Sequence, residues 1–118
     1  MKRISALAAV LAVAAVSVFS VVAYAAQNHA TATTISVKAM EFKFTLSKKS
    51  APHGKVTFKL TNKGHLKHDF KINGKKTSMI SPGKSASLTV TLKKGSFKYI
   101  CTVPGHAAAG MKGTFKAT

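Results

Sequence analysis

From Thr34 onward, apolar and polar residues alternate with a period of two along most of the chain. Successive side chains of a β-strand point to opposite faces, so this alternation predicts short strands that each bury one face. Turn-forming pairs such as Asn73-Gly74 and Pro82-Gly83 separate the runs, and no helical repeat of useful length follows residue 33. The pattern predicts an all-β domain, either a β-sandwich or a barrel. The alternating runs are 35–39, 42–46, 56–60, 88–92 and 97–101.

One hydrophobic core is expected between two such sheets. Six phenylalanines are predicted to close it, and Met40 and Met79 are predicted to pack with them. We find no internal repeat and no second domain, so the structured part is predicted to be the single domain 34–118. The six phenylalanines are Phe42, Phe44, Phe58, Phe70, Phe97 and Phe115.

The start of the chain has the composition of an export signal. Lys2-Arg3 precedes the uncharged residues 4–26, and Ala23-Tyr24-Ala25 fits the small-x-small cleavage rule. We therefore expect a signal peptide at 1–25 and a short linker at 26–33. The alternative is an uncleaved membrane anchor through residues 4–26. Both interpretations place the domain outside the cytoplasm, in the periplasm or the extracellular space.

The chain has a single cysteine, within the segment Cys101-Thr-Val-Pro-Gly-His106-Ala-Ala-Ala-Gly-Met111. One cysteine forms no internal disulfide, and an unprotected thiol would oxidise outside the cytoplasm. A thiolate, an imidazole and a thioether with the spacing Cys-x4-His-x4-Met would share one loop between two predicted strands. This soft ligand set suits copper, especially if a second imidazole comes from elsewhere. The alternative is a buried, inert cysteine.

This loop resembles that of the cupredoxins, small blue-copper proteins of the plastocyanin and azurin type. Its spacing is similar to that of auracyanin and rusticyanin. A second segment, Gly64-His-Leu-Lys-His68-Asp69-Phe70-Lys-Ile72, resembles the family's first-histidine segment. The resemblance covers roughly residues 34–118, and it implies a Greek-key β-sandwich.

The resemblance also implies one type 1 copper per chain, bound by His68, Cys101 and His106 with Met111 as a weak axial ligand. His65 competes with His68 for the first position, whereas His29 and His53 are disfavoured. Many cupredoxins have asparagine after the first histidine, where this chain has Asp69. An ionised Asp69 would accept a hydrogen bond from the Thr102 hydroxyl or from a backbone N–H, but it would not donate one.

The function implied by the resemblance is a one-electron carrier outside the cytoplasm. No catalytic constellation is evident, so we expect no enzyme activity. Two alternatives remain: a copper storage or delivery protein, and a basic binding module whose copper loop is degenerate.

Charge indicates the kind of partner. The chain has nineteen lysines and arginines but only two acidic residues. Residues 26–118 contain seventeen lysines and only two acidic residues, Glu41 and Asp69, which gives a net charge of +15. We expect acidic redox partner proteins or an anionic membrane surface as partners. No nucleic acid partner and no oligomer are expected.

Overall fold

The computed structural model describes residues 32–118, which form two β-sheets. One sheet has the strand order β2-β1-β4-β7, and the other has the order β3-β9-β8-β5-β6. The strands are β1 (Thr33–Met40), β2 (Lys43–Leu46), β3 (Ser50–Ala51), β4 (Gly54–Asn62), β5 (Lys71–Ile72), β6 (Lys75–Lys76), β7 (Ser85–Leu92), β8 (Gly95–Ile100) and β9 (Lys112–Ala117), with one short helix, α1 (His106–Ala109), before β9. The predicted all-β sandwich is confirmed.

Both parallel and antiparallel pairs hold the sheets together. β1 pairs with β4 and β3 pairs with β9 in parallel, while the remaining pairs are antiparallel. The predicted signal segment 1–25 and most of the predicted linker lie outside the described residues. Within residues 32–118, no helix is long and apolar enough to cross a membrane.

The core lies between the sheets and follows the predicted alternation. Along β1, Ile35, Val37 and Ala39 are buried, and the residues between them are exposed. Aromatic rings fill the centre, where the Phe58 ring lies 5.0 Å from Phe70 and 5.2 Å from Phe115, measured between centroids. Edge-to-face and tilted ring pairs of this kind add to the burial of their apolar area.

Part of the predicted core lies at the surface instead. Phe44, Phe58, Phe70 and Phe115 are buried and Phe97 is partly buried, but Phe42 is 39% exposed. Met40 and Met79 are also about half exposed, so the prediction that these three side chains pack in the core is wrong. Phe42 precedes the first residue of β2, so the pleat of the strand does not turn its ring inward. The ring packs edge-on against His106 instead.

Strands β3 and β6 were not predicted, because two residues are too few to show an alternation. The longer strands determine where the candidate ligands lie. β8 ends at Ile100, directly before Cys101, and β9 begins at Lys112, directly after Met111. The two strands pair in antiparallel register. The Cys-x4-His-x4-Met segment is therefore the connection at one end of this sheet.

Asn62, the last residue of β4, organises the loops at that same end. It is completely buried, and its side-chain amide donates to the carbonyls of Leu66 and Ile80 at 2.7 and 2.8 Å. Its Oδ1 accepts a hydrogen bond from the Gly64 N–H at 2.9 Å. Three backbone groups from two loops thus bind one side chain.

We expect Asn62→Ala to destabilise the metal-free protein by about 3 kcal/mol, because it removes three hydrogen bonds and deprives the buried Gly64 N–H of the Asn62 acceptor. Thr57→Ala is the matched control. It removes a surface hydroxyl pair with Thr89 and should change the free energy of unfolding by about 0.5 kcal/mol or less. Urea unfolding followed by circular dichroism measures both. Equal effects of the two substitutions would show that the Asn62 network does not stabilise the fold.

Candidate metal centre

The loop between β8 and β9 is closed by its own backbone. The Cys101 N–H donates to the Met111 carbonyl, and the Met111 N–H donates to the His106 carbonyl, both at 3.0 Å. Gly105 begins the turn of α1 with φ of 83°, as expected for a glycine after proline in a tight turn. Gly110 ends it, where a β-carbon would come within 2.8 Å of the Phe42 carbonyl oxygen. These contacts fold the loop back so that Cys101 and His106 face each other.

The His68 segment is held by the backbone of Ile80, which lies between β6 and β7. His68 exchanges two backbone hydrogen bonds with Ile80, at 3.1 and 2.8 Å, which makes an isolated antiparallel bridge. The carbonyl of Ile80 also accepts a hydrogen bond from Asn62. This anchoring directs the imidazole of His68 towards the loop that carries Cys101.

The three predicted donor side chains come together. The Cys101 Sγ lies 3.9 Å from the Nδ1 of His68 and 3.7 Å from the Nδ1 of His106. The two Nδ1 atoms are 3.1 Å apart. All three side chains are buried, and their donor atoms lie within 4.8 Å of one another. The structure therefore gathers one sulfur and two imidazole nitrogens around a common point.

Burial also controls the protonation of the cysteine. Removal from water raises the pKa of the Cys101 thiol above its ordinary value, with smaller opposing contributions from backbone hydrogen bonds. The metal-free protein therefore keeps Cys101 as a thiol at neutral pH. A metal bound by the thiolate must displace that proton.

Asp69 and Thr102 link the two ligand-bearing segments. Asp69 is almost fully buried, and its Oδ1 accepts a hydrogen bond from the Thr102 N–H at 2.6 Å. Its Oδ2 accepts a second hydrogen bond, from the Thr102 hydroxyl. Both are bonds in which Asp69 accepts, as expected for a carboxylate in place of asparagine. Asp69 follows His68 and Thr102 follows Cys101, so this link fixes these two candidate donors relative to each other.

A residue that the sequence analysis did not assign to the site, Glu41, contacts the opposite side of His68. Its Oε1 lies 3.1 Å from the Nε2 of His68 and 2.7 Å from the backbone nitrogens of His65 and Leu66. The hydrogen bond from Leu66 is the largest cause that lowers the pKa of Glu41 to about 2, and it acts against desolvation. The Glu41 carboxylate is therefore ionised at ordinary pH.

The other sequence candidates lie apart from this cluster. The His65 backbone N–H contacts Glu41, but its ring is exposed and does not join the donor group. The ring of His53 contacts the C-terminal residue instead, where its Nδ1 lies 2.8 Å from the Thr118 carbonyl oxygen. His29 lies outside the described residues. Met111 is fully buried at the end of the loop, and its backbone is hydrogen-bonded to that of Cys101 and His106.

Comparison with known proteins identifies the family. Residues 21–118 match the family described as copper binding proteins of the plastocyanin/azurin family. The chain belongs to this family of copper-binding proteins. The resemblance drawn from the two ligand segments is thus confirmed, and copper is the metal that the cupredoxin fold implies for the site.

Individual relatives agree with this assignment. Auracyanin-B of Chloroflexus aurantiacus is 51% identical over 43 residues, which are 36% of this chain and 18% of that relative. This chain therefore aligns with about a fifth of the relative's length. A structure titled auracyanin B is 26% identical, with a TM-score of 0.63, over 74% of this chain and 89% of that chain.

Two further structures support the fold alone, because their identity is low. Reduced auracyanin from Roseiflexus castenholzii is 24% identical, with a TM-score of 0.65, over 74% of this chain and 98% of that chain. An azurin from Methylomonas sp. strain J is 18% identical, with a TM-score of 0.58, over 73% of this chain and 98% of that chain.

The donor set fits copper on its own chemistry. A thiolate and two imidazoles in a buried, compact cluster suit a copper ion that changes between its two oxidation states, and carboxylates are absent from this cluster in the described residues. Sequence reasoning selected Cys101 and His106 from the spacing in the loop, and His68 from the resemblance of its segment to the first-histidine segment of the family. It missed Glu41 and Asn62, because their spacing from the ligands in sequence gives no signal of contact.

Proposed function

We propose that this cupredoxin is an exported one-electron carrier. The observation that carries the proposal is the convergence of the Cys101 Sγ with the Nδ1 atoms of His68 and His106 in one buried cluster. When bound there, copper would supply a one-electron couple between Cu(I) and Cu(II). The signal-like residues 1–25 support export to the periplasm or the extracellular space, with a retained anchor at 4–26 as the variant form.

The ligand roles follow from the chemistry of the donors. His68, Cys101 and His106 would bind the metal, and Met111 would be a weak fourth donor. The buried position of Met111 beside the loop supports this role. Three strong donors and one weak donor would suit both Cu(I) and Cu(II), so these residues would have to move little when a bound copper changed its oxidation state.

The charge distribution supports an anionic partner. All seventeen lysines of residues 32–118 are exposed, and within that range none forms an ion pair. Both acidic residues of the chain, Glu41 and Asp69, are hydrogen-bonded at the metal centre. The protein surface therefore presents cations without neighbouring carboxylates, and it attracts acidic redox proteins or an anionic membrane surface.

One face of the five-stranded sheet brings lysines close to the metal centre. Lys71 on β5 and Lys112 on β9 both pair with Ile100, which directly precedes Cys101. Lys116 lies four residues further along β9, about 13 Å from Lys112 in an extended strand. We infer that an anionic partner docks at the metal-proximal end of this face. That end of the face adjoins Cys101 of the donor cluster.

The first prediction concerns the ligands. Cys101→Ser should abolish the intense blue absorption of the copper-loaded protein, because the charge-transfer band requires the thiolate. His65→Ala is the matched control, since the His65 ring does not join the donor cluster, and it should leave the band nearly unchanged. Visible absorption after copper loading measures both. A Cys101→Ser protein that stays intensely blue would refute the ligand set, and loss of colour in His65→Ala would show that the wrong histidine was chosen.

The second prediction concerns Met111. Met111→Leu should retain copper and raise the reduction potential, because a weak donor that stabilises Cu(II) is lost while the buried volume is nearly conserved. Protein-film voltammetry measures the potential, and metal analysis measures copper retention. An unchanged potential would mean that Met111 only packs beside the loop.

The third prediction concerns steering by the lysines. The electron-transfer rate with an anionic reagent should fall by about tenfold or more as salt is added, because exposed charges are screened over about 8 Å at physiological ionic strength. A cationic reagent should show the opposite trend. Stopped-flow absorption over a salt series measures both, and identical flat profiles would refute steering.

Two double variants separate local docking from net charge. Lys71→Glu/Lys112→Glu and Lys55→Glu/Lys116→Glu change the charge equally, but the second pair lies at the ends of the strands far from Cys101. At low salt, the metal-proximal double variant should slow electron transfer with the anionic reagent more than the distal double variant does. Equal slowing would show that only the net charge matters.

A further inference from the structure

The contact between Glu41 and His68 has a chemical consequence for the metal centre. A neutral imidazole carries one proton, and the nitrogen without it is the one that binds a metal. Both Nδ1 atoms face the Cys101 sulfur, while the Nε2 of His68 faces the Glu41 carboxylate. The Oε1 of Glu41 also accepts hydrogen bonds from the backbone N–H groups of His65 and Leu66, so it faces Nε2 as an acceptor, and the proton of a neutral His68 lies on Nε2. That leaves its Nδ1 free to act as a ligand.

The carboxylate itself is rigidly held. Its Oε1 accepts hydrogen bonds from the backbone N–H groups of His65 and Leu66. The Glu41 side chain is 23% exposed. Gly64 lies so close that a β-carbon at this position would collide with both carboxylate oxygens. Gly64 is in turn bound to the buried Asn62 side chain. The loop thus forms a fitted cradle that fixes the carboxylate against the imidazole.

We propose that Glu41 is a positioning residue for the metal centre, which fixes His68 in the Nε2–H tautomer and biases the site towards Cu(II) through its negative charge. This inference rests on the proposed function for its redox part only. Carboxylates that accept from the distal nitrogen of a ligand histidine orient the ring and increase its basicity. A negative charge one imidazole away from the metal stabilises the more positive oxidation state.

The tautomer can be tested without metal. In the metal-free protein, long-range ¹⁵N–¹H NMR should show His68 as the Nε2–H tautomer. Glu41→Gln keeps an oxygen acceptor and should preserve that tautomer, whereas Glu41→Ala should give a mixture with Nδ1–H. Gly64→Ala, which displaces the carboxylate without changing any charge, should reproduce the effect of Glu41→Ala. It keeps the test decisive if Glu41→Ala does not fold.

The redox effect can be tested in the copper-loaded protein. Glu41→Gln should raise the ratio of Cu(I) to Cu(II) binding constants about tenfold, which is about 59 mV in the potential of a one-electron couple. Thr45→Lys is the matched control, because it raises the net charge by the same amount on an exposed strand position. Its shift should be much smaller, since it reports only the general field of the surface.

A merely structural role of Glu41 predicts a different result. In that case Glu41→Ala would lower the free energy of unfolding but leave the His68 tautomer unchanged, and Glu41→Gln would shift the potential no more than Thr45→Lys does. That combination would overturn the proposal. A protein that binds no copper would instead refute the proposed function, while the tautomer of the metal-free protein would still decide the positioning role.

Discussion

The two hydrogen bonds from Thr102 to the Asp69 carboxylate hold the metal centre together. They join the residue after Cys101 to the residue after His68, which come from different parts of the chain. A buried carboxylate is costly unless its oxygens are hydrogen-bonded, so this pair is satisfied only when both ligand segments are in place. The donor cluster and the local fold therefore form together. Asparagine in this position would offer one acceptor oxygen and two donor hydrogens, a different set of contacts.

The charged side chains of residues 32–118 are divided between the metal centre and the surface. Glu41 and Asp69 each contact a ligand segment, and the lysines of residues 32–118 all lie on the surface. The surface lysines repel one another, which reduces the stability of the compact state but favours solubility and fast encounter with anions. Within the described residues, negative charge is thus confined to the candidate metal centre, and positive charge covers the surface.

The sequence predicted the features that depend on periodicity or on a local motif. The alternation located the long strands β1, β4, β7 and β8, and the spacing in the loop and the first-histidine segment gave the three clustered donors. It failed where the outcome depends on tertiary contacts. Phe42 looks like a core residue, but it lies just outside β2 and covers His106. Glu41 and Asn62 become recognisable only when β1 and β4 lie side by side, since residues 39 and 62 are register partners.

That register explains how contacts within the protein position the site. The parallel pairing of β1 with β4 brings the end of β1, and hence Glu41, beside the loop that Asn62 anchors. Backbone hydrogen bonds close the Cys101–Met111 loop independently, and the bridge to Ile80 fixes His68. Each donor is therefore held by contacts within the protein. A ligand set fixed in this way has little freedom to rearrange when the charge on a bound metal changes, which is the physical requirement for rapid electron transfer.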